Sequence, residues 1–204
     1  MHDVLLWDFG DTLVDERWML APPVGISGWR DAWIAVMATH ADDWNRGAVS
    51  AHDVFAALAD ETGMTAAAVE VHAHACCRTL GFHEHAWRVA REHRLPQALV
   101  TVNPDIFGAW IVPDHRLHEV FDAIVMSYAE GTTDKCSLCD RALERLGATR
   151  DRSRALLIDN RADLVEQWRA AGGVGYWFRD DEQFHADLAA LLARPPGRNY
   201  RRRA

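Results

Sequence analysis

Polar residues with reactive side chains stand at the ends of four short apolar runs in this sequence. Asp8, Thr101 and Asp159 each end such a run, and Lys135 follows another. In chain order they supply a carboxylate, a hydroxyl, an ammonium and, where Asp163 joins Asp159, a pair of carboxylates. A carboxylate can attack as a nucleophile, while an ammonium and a hydroxyl stabilise the negative charge that develops. Each residue alone would suit a turn or the surface, but the ordered set favours a catalytic site.

The apolar runs alternate with helical segments, which is typical of a parallel sheet covered by helices on both faces. Open parallel sheets bind ligands at the carboxyl ends of their strands, so the polar residues should meet at one edge. Gly147 and Gly172 are expected to end two of the helices. We predict strands at residues 4–8, 98–102, 123–127, 155–159 and 174–178, and helices at residues 104–111, 115–121, 136–146, 162–171 and 181–192.

One long interval interrupts this alternation. Between the first two predicted strands lie about ninety residues without a convincing strand, which is too long for an ordinary connection. Ser50 and Thr65 are expected to be N-caps there, and Trp29, Trp33 and Val36 recur at helical spacing, which predicts an apolar stripe that faces the core. The interval predicts helices at residues 28–44, 50–62, 65–80 and 83–93.

The predicted fold class is therefore α/β, with a Rossmann-like, three-layer parallel sheet core and an inserted α-helical cap subdomain. We expect the core to comprise residues 1–15 and 95–193, the cap to comprise residues 16–94, and a flexible basic tail to comprise residues 194–204.

Taken in order, the polar motifs resemble those of the haloacid dehalogenase (HAD) superfamily. That superfamily has an aspartate-led DxDxT motif after the first strand, a Ser or Thr after the second, a Lys, and a late acidic pair. The helical interval is similar to the cap that some members carry between their first two motifs. The resemblance covers almost the whole chain and rests on Asp8-Phe9-Gly10-Asp11-Thr12, Thr101, Lys135, Asp159 and Asp163.

The resemblance implies a magnesium-dependent phosphatase of a small phosphorylated metabolite. Asp8 would be the nucleophile that forms an aspartyl-phosphate, and Thr101 and Lys135 would hold the transferring group. Mg²⁺ prefers oxygen ligands. The implied ligands are Asp8, the carbonyl of Gly10, Asp159 and Asp163, with the choice of direct ligand between the last two left open. The implied substrate contacts are Phe9, Asp11, Thr12 and Asn103.

Gly10 departs from the family pattern. Phosphatases of this superfamily usually carry there a second aspartate, the general acid and base, and such a group is typically worth about 10² to 10⁴ in rate. One interpretation is that another group replaces it. The candidates are Asp11, Asp15, Glu16 and a histidine of the helical interval.

Two further interpretations stay open. The first is hydrolysis of a bond whose leaving group needs no acid, either carbon–halogen or carbon–phosphorus. The acidic pair favours a metal and so disfavours the halide branch, and the phosphonate branch needs a cap lysine that residues 16–94 lack. The second is a catalytically weak module that binds anions.

The composition limits the cellular compartment and the binding partners that we expect. The formal net charge of -8 and the pI near 5.7 disfavour nucleic acid and anionic membranes as partners. No signal sequence or apolar run of about 20 residues is apparent, and the four cysteines suggest reduced core residues, so we expect a cytoplasmic protein. The expected partner is a small-molecule substrate, and the sequence does not predict an oligomeric state.

Overall fold

The computed structural model describes residues 2–147 and 151–192, which form a parallel sheet packed between helices. The strands lie in the order β3-β2-β1-β4-β5, and every neighbouring pair is parallel. The predicted α/β, Rossmann-like class is confirmed, and each predicted strand end is right to within one residue. The strands are β1 (Val4–Trp7), β2 (Gln97–Thr101), β3 (Ala123–Met126), β4 (Ala155–Asp159) and β5 (Val174–Trp177).

Helices connect the strands. Those between β1 and β2 are α1 (Trp29–Asn45), α2 (Ala51–Thr62), α3 (Ala66–Arg78) and α4 (Glu84–Glu92). Those after β2 are α5 (Val112–Asp114), α6 (Ser127–Glu130), α7 (Lys135–Arg145), α8 (Ala162–Ala170) and α9 (Asp181–Leu192). Short 3-10 turns occur at Glu16–Leu20, Leu117–Glu119 and Arg152–Arg154, and a π-helical turn occurs at Phe107–Ile111.

The apolar run of β1 is continuous because both faces of the sheet are covered. Val4 and Leu6 belong to the core on the side of α7 and α8, whereas Leu5 and Trp7 belong to the core on the other side. There the ring of Trp7 meets Phe184 of α9 at a centroid distance of 5.9 Å. Successive side chains of a strand point to opposite faces, so a doubly covered strand must be apolar throughout.

The interval between β1 and β2 is helical, as the sequence predicts. Ser50 caps α2 in a reciprocal capping box with Asp53, and the Thr65 hydroxyl caps α3 by accepting from the Ala68 amide at 3.2 Å. The two chain segments that join these helices to the sheet pair with each other, since the His83 amide donates to the Leu13 carbonyl at 2.9 Å. This pairing fixes where the helices leave and rejoin the sheet.

The predictions fail mainly between β2 and β3. The expected helix at residues 115–121 is wrong, since only the 3-10 turn Leu117–Glu119 forms there. Arg116 has a positive φ of 53°, a conformation that an α-helix does not accommodate. The expected helix at residues 104–111 does form, as part of a helical segment at residues 105–114, and Phe107–Ile111 make a π-helical turn within it. Gly147 and Gly172 end their helices with positive φ, as predicted.

The predicted tail at residues 194–204 lies outside the described residues. Within residues 2–147 and 151–192, no helix combines the length and apolar character that a membrane crossing requires.

Candidate active site

The carboxyl ends of three neighbouring strands define the site. Asp8 directly follows the central strand β1, Thr101 and Asp159 are the last residues of β2 and β4, and Lys135 is the first residue of α7. Because β2, β1 and β4 are adjacent in the sheet, these chain segments converge at one edge.

Lys135 lies at the centre of the site and is the only lysine of the chain. Its Nζ donates to Asp8 Oδ1 at 2.6 Å and to the Val100 carbonyl at 2.7 Å, and it lies 3.0 Å from Asp159 Oδ2. The side chains of Lys135 and Asp159 are only 2% and 1% exposed. Burying a charge is costly unless it is paired, and here one ammonium serves two carboxylates.

The buried charges shift each other's pKa. Burial raises the pKa of Asp8 to about 6, with the Lys135 charge opposing this rise and the Asp159 charge adding to it. Burial alone would lower the pKa of Lys135, but the charges of Asp8 and Asp159 outweigh it and raise that pKa. Lys135 therefore remains an ammonium at neutral pH, available to stabilise an anion beside Asp8.

Thr12 is buried beneath Asp8. Its hydroxyl donates to Asp8 Oδ2 at 3.3 Å and accepts from the Asn160 amide at 3.0 Å. Thr12 thus links the loop after β1 to the loop after β4 and holds the second oxygen of Asp8. The resemblance implies that Thr12 contacts substrate, whereas its hydroxyl here bonds to Asp8 and to the Asn160 amide.

Thr101 and Asn103 lie together after β2. Thr101 is fully buried, and its hydroxyl accepts from Asn103 Nδ2 at 2.6 Å. Ser127, which the sequence analysis missed, is also buried and accepts from the Asn103 amide at 3.0 Å. The Ser127 hydroxyl lies 2.6 Å from the Asn45 carbonyl of α1, so this cluster joins the helical segment to the strand ends.

Phe9 and Asp11 occupy the loop that follows Asp8. The Phe9 ring is buried and packs edge to face on Phe107 at a centroid distance of 4.8 Å, so its side chain belongs to the core. Asp11 has a positive φ of 48°, and its Oδ1 accepts from the Glu16 amide at 3.0 Å. Asp11 therefore fixes the start of the Glu16–Leu20 turn, and the substrate roles expected of both residues stay predictions.

Glu16 fills the space beside Gly10. A Cβ atom built on Gly10 would overlap Oε1 and Cδ of Glu16, so the Glu16 carboxyl occupies the volume that any side chain at position 10 would enter. Much of the Glu16 residue is exposed, but its carboxyl group lies against the protein. That burial, together with the charges of Asp8 and Asp11, raises the pKa of Glu16 to about 7.

The other candidates for the missing acid differ from Glu16 in their contacts. The Asp15 carboxylate binds Arg17 Nε at 2.8 Å, and this pairing lowers the pKa of Asp15 to about 2. Asp11 and Asp15 line an open surface cleft beside Arg17 and His83, whereas Glu16 lines a different cavity. In the described part of the chain, the Glu16 carboxylate forms no hydrogen bond or ion pair.

Asp163 is paired with Arg161, whereas Asp8 and Asp159 are paired with Lys135. It is exposed, and its carboxylate is paired with Arg161, whose Nη2 lies 2.6 Å from Asp163 Oδ2. The Arg161 pairing also lowers the pKa of Asp163. The Arg161 amide in turn donates to Asp159 Oδ1 at 2.9 Å. The metal-binding role expected of Asp163 stays a prediction.

The oxygen atoms beside Lys135 suit a magnesium ion that would be bound by both the protein and a substrate phosphate. Asp159 Oδ2 is buried and, in the described part of the chain, accepts no well-oriented hydrogen bond. Asp8 and the Gly10 carbonyl lie in the adjacent loop. Magnesium commonly uses one or two carboxylates and completes its shell with water and phosphate oxygens. No group of three or more His, Cys, Asp or Glu side chains positioned to hold a metal occurs among the described residues.

A cavity of about 260 Å³ opens next to Glu16, between α1 and the segment that follows β2. Two of its lining residues link it to the site: Asn103 bonds to Thr101, and the charge of Asp8 raises the pKa of Glu16. The sequence analysis missed it, because a stripe of apolar residues on a helix predicts core packing as well as a ligand pocket. The cavity is lined by Glu16, Met19, Trp33, Met37, Ala41, Trp44, Asn45, Val102, Asn103, Pro104, Ile106 and Ile111.

Solved structures share this fold. A HAD family enzyme from Bacteroides thetaiotaomicron, in complex with magnesium and inorganic phosphate, superposes with a TM-score of 0.68 at 13% identity, over 95% of this chain and 100% of that one. A predicted HAD-like family hydrolase from Porphyromonas gingivalis gives a TM-score of 0.66 at 14% identity, over 96% of this chain and 100% of that one.

The L-2-haloacid dehalogenase from Xanthobacter autotrophicus, with chloropropionic acid covalently bound, gives a TM-score of 0.63 at 17% identity, over 96% of this chain and 85% of that one. No protein-family model and no curated protein sequence matches the chain. At these identities the likeness establishes that the chain has the fold of HAD enzymes, as its motifs predict.

Proposed function

We propose that the protein is a hydrolase of the HAD superfamily, and specifically a magnesium-dependent phosphatase of a small phosphorylated metabolite. The observation that carries this proposal is the Lys135 ammonium, which is held between Asp8 at the end of β1 and Asp159 at the end of β4. This arrangement joins a nucleophile, a cation for the phosphoryl oxygens and a second carboxylate for a metal at one sheet edge.

In the first step, an oxygen of Asp8 attacks phosphorus while the bond from phosphorus to the leaving oxygen breaks. Lys135 stabilises the phosphoryl oxygens, and Thr12 and Lys135 keep the Asp8 carboxylate oriented. The leaving oxygen departs with the bonding electron pair and takes a proton. The product of this step is an aspartyl-phosphate on Asp8 and a free alcohol.

In the second step, water attacks the phosphorus of the aspartyl-phosphate. The bond from phosphorus to the Asp8 oxygen breaks, inorganic phosphate leaves, and the attacking water gives up a proton. Asp8 is thereby restored as a carboxylate. Asp8, Asp159 and the Gly10 carbonyl would hold magnesium, whose positive charge would reduce repulsion between Asp8 and the phosphate.

Glu16 is our candidate for the group that gives and takes these protons. Its carboxyl occupies the space that a side chain at Gly10 would use, which is where phosphatases of the superfamily carry their acid and base. It also lines the cavity beside Asp8, where a leaving group would lie. Asp11 and Asp15 lack these features, because one is bonded to the Glu16 amide and the other is paired with Arg17.

The helical residues 16–94 act, in this proposal, as a cap over a core of residues 1–15 and 95–193. The cavity between α1 and the segment after β2 supports this division, because substrate bound there would contact both parts. The proposed partner is a small molecule, and the proposed location is the cytoplasm.

A second candidate function is hydrolysis of a carbon–halogen bond. The apolar side chains in the cavity wall, among them Trp33, Met37 and Ile111, favour it, and Asp8 could form an ester with the substrate carbon as halide leaves. The buried Asp159 beside Lys135 favours the phosphatase, since a carbon–halogen hydrolase has no phosphate charge for a metal to neutralise.

Release of inorganic phosphate and of halide, each measured with and without magnesium, separates the two candidates. We expect phosphate release from phosphate monoesters that a chelator abolishes and magnesium restores, and we expect Asp8→Asn to lose it. Chelator-insensitive release of chloride from haloacids, without phosphatase activity, would establish the second candidate instead.

A further inference from the structure

The cavity beside Glu16 presents one face of α1 to the strand ends. Trp33, Met37 and Ala41 recur every four residues, so they lie one above another on the same side of the helix, and all three line the cavity. The sequence analysis assigned Trp33 to a core stripe with Trp29 and Val36. Those two residues are buried, but Trp33 is only half-buried and turns toward the cavity.

The cavity wall has no positively charged side chain among the described residues. Among the described residues that line it, Glu16 is the only ionisable one, and none is a lysine, arginine or histidine. An anionic substituent on the substrate would therefore find no cation there. This disfavours bisphosphates, phosphorylated carboxylic acids and nucleotides with more than one phosphate as occupants.

Some of the polar groups of the wall are already engaged. Asn103 Nδ2 already donates to Thr101, and the Asn45 carbonyl lies in hydrogen-bond reach of Ser127. A polyol would bury several hydroxyls, and each hydroxyl left without a partner costs binding free energy. Sugar phosphates are therefore also disfavoured.

The size of the cavity selects small ligands. Its volume of about 260 Å³ is below the range of roughly 300–1,000 Å³ in which drug-sized ligands bind. It exceeds the roughly 150 Å³ of the engineered apolar cavity that holds benzene. A single aromatic ring with a short alkyl arm fits between these limits, and the Trp33 and Trp44 rings offer it aromatic contacts.

We propose that this cavity binds the leaving group of the substrate, and that the substrate is a phosphate monoester of an uncharged aromatic or arylalkyl alcohol. This inference rests on the proposed phosphatase function. Phosphate would occupy the site at Asp8 and Lys135, and the aromatic alcohol would extend along α1 past Glu16.

Matched phosphate esters test the substrate class. 2-Phenylethyl phosphate and glycerol 3-phosphate both release a primary alcohol, so they differ mainly in the group that enters the cavity. We expect kcat/KM to be at least about tenfold higher for 2-phenylethyl phosphate, the scale of apolar discrimination in enzyme pockets. Equal values, or a preference for glycerol 3-phosphate, would overturn the inference.

A pair of identical substitutions on α1 tests the location. Ala41→Leu should fill part of the cavity and lower kcat/KM for 2-phenylethyl phosphate at least about tenfold, while turnover of the small substrate acetyl phosphate is retained. Ala38→Leu makes the same change on the exposed face and should leave both activities unchanged. An unaltered preference in Ala41→Leu would contradict the assignment, and Ala41→Val serves the same test if the leucine variant does not fold.

Binding of 2-phenylethanol tests the cavity independently of catalysis. Titration calorimetry on the wild-type protein should detect 2-phenylethanol but not glycerol, and Ala41→Leu should weaken binding. If the protein hydrolyses no phosphate ester but binds the alcohol in this way, the phosphatase function fails while the cavity assignment stands. If it hydrolyses phosphate esters but does not bind the alcohol, the cavity assignment fails alone.

Discussion

At the scale of single residues, Lys135 controls the charge of the proposed site. Its ammonium is shared by Asp8 and Asp159, two buried carboxylates that would otherwise repel each other. Replacing one cation that stabilises a developing anion typically lowers kcat by about 10² to 10³.

We therefore predict that Lys135→Ala lowers phosphatase kcat at least about 100-fold. It should also lower the free energy of unfolding by roughly 3–5 kcal/mol, because two buried carboxylates lose their counterion. Steady-state kinetics and urea denaturation give the two values. A variant that is fully stable and retains activity within tenfold of the wild type would refute this role.

Gly10 and Glu16 form a second residue pair, because a side chain at position 10 would need the space that the Glu16 carboxyl fills. Glu16→Ala should lower kcat for alkyl phosphates by about 10² to 10⁴, the usual contribution of an acid–base group. Acetyl phosphate, whose leaving group needs no proton, should be affected much less. Asp15→Ala is the control, because that carboxylate is already paired with Arg17.

The double variant Gly10→Asp with Glu16→Ala should have a kcat at least about tenfold higher than that of Glu16→Ala alone. Removing Glu16 vacates the space that an aspartate at position 10 needs, and no positive φ at Gly10 forbids that residue. In Gly10→Asp alone the Glu16 carboxyl must move aside, so this variant should not exceed the wild type in activity. No recovery in a folded double variant would refute the assignment of Glu16.

The type of a residue at a strand end was predictable, but its partners were not. The positions of Asp8 and Asp159 followed from apolar runs that end in a charge, and that of Lys135 from its place in the order of the motifs. The contact of Glu16 with Gly10 depends on the 3-10 turn Glu16–Leu20, which no periodicity in the sequence indicates. The exposed pairing of Asp163 with Arg161 likewise depends on side-chain rotamers.

At the scale of elements, local capping and periodicity explain why most helices were predictable. Ser50 and Asp53 exchange hydrogen bonds across the first turn of α2, and the motif is visible in four consecutive residues. The segment after β2 was only partly predictable, because its π-helical turn and the positive φ of Arg116 have no comparable local signal.

We predict that Ser50→Ala lowers the free energy of unfolding by about 1 kcal/mol, since the Asp53 amide loses its cap. Urea denaturation gives the value. Thr39→Ala, an exposed change in the middle of α1, should remain within about 0.5 kcal/mol of the wild type. Equal effects of the two substitutions would show that capping does not stabilise α2.

At the scale of the whole molecule, Asp105 ties the helices to the sheet edge. Its carboxylate accepts from Trp44 Nε1 at 2.8 Å and from the Ala51 amide at 3.0 Å, so it fixes the end of α1 and the start of α2. These bonds also hold the cavity wall, because Trp44 lines it.

Asp105→Ala should lower the free energy of unfolding by about 2 kcal/mol, because Trp44 Nε1 and the Ala51 and Ile106 amides lose their acceptor. Hydrogen exchange should accelerate in α1 and α2 more than in the sheet. Asp60→Ala, on the exposed side of α2, is the control and should change neither. Uniform acceleration across the sheet and the helices would contradict a local role for Asp105.

The central claim is that Asp8 carries the phosphoryl group during turnover. Borohydride reduces an acyl phosphate to an alcohol, so quenching the reaction with it should convert Asp8 to homoserine, which peptide mass spectrometry can locate. We predict this modification at residue 8 only when phosphate ester and magnesium are both present. Steady turnover of substrate with an unmodified Asp8 would contradict the account.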